Sequence, residues 1–237
     1  MNFFKNLLPH FNKASLPDEW LWIEDHWKKL PNKETSLEKI PFYVIDLELT
    51  GLNPDQDRIV SLTAIPVQNS QIYTNRMLSL YIEQEFYRHE SIAIHEILPG
   101  DNSKSTDSEA DALQRFLKFA GSGVWVFHGA DLDFKFLKAA VNRHGFPDLK
   151  NPALDTLNLL PRAFDYYRNP DQLPRGSMKL DQICKQLNIP HQDNHTADGD
   201  ALATAIIFTE LLSKLRKRGN RALGDLMKRE KWSFLSF

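Results

Sequence analysis

The 237-residue chain reads as an α/β protein, a mixed β-sheet with helices packed on it. Three observations predict this. Short runs rich in β-branched and aromatic residues follow one another between residues 41 and 82, joined by close turns that suggest an antiparallel meander. From residue 108 onward, helical periodicity alternates with short apolar strands. A hydrophobic fraction of 42% is enough for one full-sized core, with about forty residues left for terminal extensions.

Taken in order, residues 1–40 form a helical extension. A proline-punctuated leader gives way at Asp18-Glu19 to the aromatic run Trp20, Leu21, Trp22, Ile23, Trp27 and Leu30, which Pro31-Asn32 ends. Its tryptophans are expected to cover an apolar patch of the main domain, since buried aromatic area is their commonest use. Strands are predicted at 42–48, 58–67 and 76–82, with turns at Gly51-Leu52-Asn53-Pro54-Asp55 and Gln68-Asn69-Ser70. Residues 91–97 read as a short helix or turn. A helix at 108–120 places Ala112, Leu113, Phe116 and Leu117 on one face. A buried strand at 124–127 leads into a helix at 131–144, a short strand at 153–157 runs into another, and 178–187 and 196–215 complete the helices. The main domain is set at 41–213. The remaining tail, 214–237, begins with the basic residues Lys214, Arg216, Lys217, Arg218 and Arg221, read as a solvated helix end or a phosphate contact. It ends on an apolar segment, 232–237, expected to dock on the domain or bind a partner.

Bulk properties exclude several classes. A net charge of −2 and a pI near 6.4 argue against binding nucleic acid by general phosphate neutralisation, so any such binding must be local. The single cysteine, Cys184, rules out an internal disulfide framework or a cysteine-built zinc site and is read as a small core residue. No stretch approaches the ~20 apolar residues of a membrane helix. Lys5, Asn6, Pro9 and His10 interrupt the start before a secretory segment can form. A soluble cytoplasmic protein without a membrane partner is the expectation.

The chemistry lies in the carboxylates. Asp46 and Glu48 stand two apart on an apolar strand, so they share one face. Held side by side they repel, and either that face is wet or a cation sits between them. Asp133 falls in the first turn of a predicted helix, where complementing the helix dipole is an ordinary alternative role for it and Asp131. His195 precedes a helix and Asp200 lies about one turn inside it, a spacing that brings both near one reacting centre but also suits simple capping; Asp198 is expected to be solvated. Jointly, four carboxylates and a histidine in an apolar scaffold suit Mg²⁺ or Mn²⁺, whose hard character favours oxygen ligands. Two such ions would clamp a scissile phosphate, and His195, with a side chain that titrates near neutrality, would take a proton from water.

These residues resemble the DnaQ-like exonucleases of the DEDDh class. The family's Asp-x-Glu stands as Asp46-Leu47-Glu48, followed by Leu49-Thr50-Gly51-Leu52; the second aspartate matches Asp133 within the run from His128 to Leu137; and His-x₄-Asp stands as His195 to Asp200. Lesser echoes are Arg58-Ile59-Val60, Ile94-His95-Glu96-Ile97 and Asp155-Thr156-Leu157, and the resemblance covers about residues 42–212. It implies a ribonuclease H-like sheet and a 3′-5′ exonuclease acting on single-stranded 3′ ends, with DNA favoured and a role in proofreading or repair. The implied ligands of two divalent ions are Asp46, Glu48, Asp133 and Asp200, with His195 as base and Leu49, Thr50, Gly51, Leu52 and His128 as substrate contacts. A DNA polymerase subunit is a further candidate partner. The alternatives are an exoribonuclease or oligoribonuclease, or a non-catalytic binding module of the same fold. Leu49 replaces a common threonine and Gly129 a common asparagine, departures expected to alter contacts to the 3′-nucleotide without loss of chemistry.

Overall fold

The computed structural model describes residues 20–84, 92, 97, 106–191 and 195–228. The strands are β1 (Phe42–Leu49), β2 (Ile59–Gln68), β3 (Gln71–Ile72), β4 (Leu78–Ile82), β5 (Thr106–Asp107), β6 (Val124–Phe127) and β7 (Ala153–Asp155). They form one seven-stranded mixed sheet in the order β5-β4-β2-β1-β6-β7, with β3 paired to β2. β1, β2 and β4 are the antiparallel meander, whereas β6 runs parallel to β1 and β7 parallel to β6. The helices are α1 (Leu21–Trp27), α2 (Glu109–Ala120), α3 (Ala130–Arg143), α4 (Thr156–Ala163), α5 (Leu180–Leu187), α6 (Ala197–Lys217) and α7 (Leu223–Leu226). The expected turn at 91–97 and the apolar end at 232–237 lie outside the described residues, apart from Ile92 and Ile97.

Two-residue alternation along the strands divides the core into two layers. Phe42 and Val44 of β1 face one side, with Ile65, Val67, Val124 and Val126, and meet Phe208, Leu211 and Leu212 of α6. Ile45, Leu47 and Leu49 face the other, with Leu62, Trp125 and Phe127, against Leu113, Phe116 and Leu117 of α2 and Phe136 and Leu137 of α3. β6 is buried on both faces, as its unbroken Val-Trp-Val-Phe requires of a strand with parallel neighbours. Cys184 of α5 is fully inside the first layer, where burial pushes its thiol up to about 11 and leaves it inert. Among the described residues no helix is long and apolar enough to cross a membrane.

α1 lies on the α2–α3 side. Ile23 is buried, Trp20 stacks on Phe146 with ring centres 4.2 Å apart, and Lys150 sits 3.9 Å over Trp27, so the tryptophans do cover an apolar patch. At the far end, the basic run is structural. Arg216 donates to Ser70, Arg218 to the Arg162 carbonyl and Asp165, and Lys214 caps the Phe164 ring. The helix continues beyond residue 213 to Lys217, and a short α7 places Leu223 and Leu226 in the core. Backbone bonds from Leu37 to Arg221, Leu223 to Thr35 and Gly224 to Lys33 stitch the segment before β1 to the one after α6.

The edge-on contact of Phe42 with Phe208, 5.0 Å between ring centres, joins the central strand to α6. Phe208→Ala is expected to cost about 3–5 kcal/mol in denaturant unfolding, with the transition still cooperative.

Candidate active site

The alternation that turns Phe42 and Val44 toward α6 turns Asp46 and Glu48 the same way, beyond the end of the apolar layer. Asp46 lies opposite Thr63 and Glu48 opposite Ser61 on β2, and the register slips after Glu48, where the strand bends away. α6 brings the third carboxylate. Thr196 caps this helix by accepting from the Gly199 amide at 3.1 Å, which sets Asp200 in the first turn. Asp198, expected to be solvated, is half-buried and accepts a hydrogen bond from the Thr63 hydroxyl. Thr63 shares its face with Asp46, so this bond fastens the start of α6 over β2 beside the acidic pair. As a result, oxygens of Asp46, Glu48 and Asp200 lie within 4.8 Å of one another.

Asp133 is buried in the first turn of α3 and stands behind that group, outside the 4.8 Å cluster. The turn that carries it is fixed by Asp155 at the end of β7. The Asp155 carboxylate accepts from the amides of Gly129 and Ala130 at 3.1 and 3.0 Å and from its own Leu157 amide at 2.9 Å, so one side chain caps α3 and α4 together. The site thus forms at the carboxyl ends of the parallel strands β1, β6 and β7, the usual place for a site in an open sheet of this kind.

Burial dominates the electrostatics, and mutual repulsion adds to it. Asp46 is held well above the ordinary carboxylate range by burial first, then by Asp133, Asp200 and Glu48. Glu48 is pushed up to about 8 by burial and the charges of Asp200 and Asp133, and Asp133 to about 8 by burial and Asp155. Such a group of crowded oxygens has the donor set that a hard divalent cation takes.

Three histidines bear on the site, and one of them, His191, bonds a member of the cluster. His195 is exposed in a left-handed turn (φ +64°) just before α6, and its ring makes no hydrogen bond among the described residues. His191 donates from Nε2 to Asp200 Oδ1 at 2.7 Å, with its Nδ1 buried and unpartnered among the described residues. Sequence reasoning missed it, because a lone histidine after Pro190 in an interhelical loop carries no spacing signal. His128 is a strut. Its Nε2 donates to the Met178 carbonyl at 3.1 Å, so Nδ1 is the acceptor toward the Thr156 hydroxyl at 2.7 Å. Burial lowers its pKa, and both ring nitrogens are engaged within the protein.

Comparison with known proteins is consistent with this geometry. Residues 43–208 match the RNase T family model, described as an exonuclease. The chain belongs to this exonuclease family. It is 31% identical to the DNA polymerase III subunit epsilon-like protein of Rhodobacter capsulatus over 82% of this chain and 27% of that protein. It is also 31% identical to the 3′-5′ exonuclease DinG of Bacillus subtilis over 76% of this chain and 18% of that protein. The chain therefore spans well under a third of either relative. Among solved structures, Escherichia coli exonuclease I in complex with a dT13 oligonucleotide superposes with a TM-score of 0.65, at 17% identity over 76% of this chain and 42% of that one, and shares the fold.

The exonuclease-family turn after β1 is built around Asp57. The Thr50 hydroxyl accepts from the Arg58 amide at 2.9 Å and donates to Asp57, which also accepts from the Asn53 amide at 2.9 Å. A Cβ on Gly51 would meet the Asp57 carboxyl at 2.4 Å, so a larger residue there would push aside the carboxylate that holds the turn. The Thr50 side chain is thereby spent inside the turn, and Leu49 packs into the second core layer. Leu52, expected from the resemblance to be a substrate contact, is 77% exposed. Gly129 occupies a left-handed position (φ +85°), which explains its departure from the family's asparagine, since glycine and asparagine are the residues that visit this region readily.

Glu48 and Asp133 both have folded-state pKa values raised above those of the unfolded chain, so folding takes up protons at these sites. Their contribution is fully favourable below the unfolded carboxylate range and is lost as pH rises toward 8. The melting temperature of EDTA-treated protein should therefore fall from about pH 5 to about pH 8 and level off above that, and Mn²⁺ should restore it more at the upper end. Glu48→Gln should raise the metal-free melting temperature at pH 8 by about 2–6 °C while shrinking the gain from Mn²⁺.

Proposed function

We propose that this chain is a 3′-5′ exonuclease that removes nucleotides singly from the 3′ ends of single-stranded nucleic acid, DNA in preference to RNA, releasing nucleoside 5′-monophosphates. The observation that carries the reading is the convergence of Asp46, Glu48 and Asp200 within 4.8 Å at the strand ends, with Asp133 buried behind them. Relatives named as a polymerase III epsilon-like protein and a 3′-5′ exonuclease, and a structural neighbour bound to an oligonucleotide, support the direction of cutting and the choice of DNA.

Asp46, Glu48 and Asp200 would hold Mg²⁺ or Mn²⁺, and Asp133 would contribute to a second ion directly or through water. When bound, a pair of such ions supplies positive charge to the attacking and leaving oxygens of a phosphodiester. The remaining work falls to the chain. His195, exposed at the entrance to α6 with its ring free of intramolecular bonds, accepts the proton of the attacking water. The new P–O bond forms as the bond to the 3′-oxygen of the penultimate nucleotide breaks, and that oxygen takes its proton from solvent. Exposed Leu52 stands beside the glycine turn where it can press against the terminal base, and the rigid Thr50–Asp57 turn sets its position.

With Mg²⁺ or Mn²⁺ the protein should shorten a 5′-labelled single strand to a ladder of stepwise products. Asp46→Ala should lower the rate by about 10³-fold or more, and a ladder that survives this change would mark a contaminant. His195→Ala should lower kcat by about 10²–10⁴-fold with KM little changed. RNA, DNA and mismatched duplex compared side by side decide the substrate, and no shortening of any of them by the unaltered protein would overturn the proposal.

A further inference from the structure

Between the segment after α4 and helix α5 lies an open groove of about 480 Å³. Its lining includes Tyr166, Tyr167, Arg175, Ser177, Lys179 and Asp181. Its backbone is tied toward the catalytic region through His128, because Ser177 and Lys179 flank Met178, whose carbonyl accepts from the His128 ring. We infer that this groove holds the nucleotides just upstream of the scissile bond, with a base on Tyr166 and backbone phosphates on Arg175 and Lys179. The inference rests on the exonuclease reading and extends it to a site on the 5′ side of the cut.

Three features carry it. Tyr166 is 49% exposed, an unusual state for so large a ring, and its neighbour Tyr167 braces it edge-on at 4.9 Å. A braced, exposed ring is a ready platform for a base, and stacking of this kind tolerates any sequence because every base has a π-face. Arg175 and Lys179 are exposed, and neither makes an ion pair among the described residues. The one acid in the lining, Asp181, meets Lys185 at 3.6 Å, so the groove is left net positive although the chain as a whole is slightly acidic. This local positive charge beside a ring also resolves how a chain of net charge −2 could bind a polyanion.

Two variants test this, Tyr166→Ala and the double change Arg175→Ala/Lys179→Ala, none of which touches the carboxylate cluster. Hydrolysis is followed on an oligothymidylate and on thymidine 5′-monophosphate p-nitrophenyl ester, which has no upstream nucleotide. Both variants should raise KM for the oligonucleotide by about 5–100-fold and leave turnover of the ester within about twofold of the unaltered protein. The double variant should also flatten the salt dependence of oligonucleotide affinity, by a slope of about 1.4 for two phosphate contacts on a single strand. An unchanged oligonucleotide KM, or an equal loss on both substrates, would overturn the inference. Fluorescence anisotropy of a 5′-fluorescein oligothymidylate in Ca²⁺ reads the groove without turnover. If the unaltered protein cleaves neither substrate, the exonuclease reading fails, and this binding measurement still decides the groove: weaker binding by both variants supports it and equal binding rejects it.

Discussion

Carboxylates that repel one another are held together here in a place where burial already disfavours their charge, and the surrounding structure serves to keep them there. Nothing in the Asp46, Glu48 and Asp200 side chains favours this arrangement. It is imposed by backbone and by bonds made away from the cluster: strand alternation for Asp46 and Glu48, the Thr196 cap and the Asp198–Thr63 bond for Asp200, and the double cap by Asp155 for the turn that presents Asp133. Each of these supports has its own partners, so loss of one loosens one carboxylate and leaves the others in place. A folded state that tolerates such crowding has a natural reason to bind cations, because the ligand relieves the strain that folding creates.

The polar residues around the cluster divide into those that hold the framework and those that remain available. His128, Thr50 and Asp57 have their polar atoms engaged within the protein. His195, Leu52, Tyr166, Arg175 and Lys179 are exposed. In the proposed reading the available set would offer a base, an apolar wedge, an aromatic ring and two cations. That is the range of contacts a nucleotide with its sugar, base and phosphates can use.

Much of this was legible in the sequence, for physical reasons that differ from residue to residue. Strand alternation is a property of the backbone, so Asp46 and Glu48 could be placed on one face from their spacing alone, and the buried β6 could be read from its four apolar residues. Helix starts carry caps, which located α2 and α6 to within a few residues. What sequence could not give were the contacts made across long separations. Thr63 and Asp198 lie 135 residues apart, and only the pairing of β2 with β1 brings the threonine under the helix. The bond from His191 to Asp200 depends on the path of an irregular loop, and the engagement of both His128 nitrogens depends on α4 and the segment before α5 arriving together. The basic run after residue 213 read as a solvated helix end or a phosphate contact because charge is visible in a sequence, whereas the carbonyls and rings that engage those side chains are not.

The stitching of the segment before β1 to α7 means that the limits of the exonuclease family are not the limits of the folding unit. Leu37 and Ile40 precede the matched region, and Leu211, Leu212, Leu215, Leu223 and Leu226 follow it, yet all seven are buried in the same layer as Phe42 and Val44. Cutting the chain at residues 43 and 208 would strip these side chains from that layer and uncover the apolar face of β1 that leads up to Asp46 and Glu48. Any excision or transplantation of this module has to keep both flanks, because they form a clasp over the same face of the strand on which the acidic pair rides.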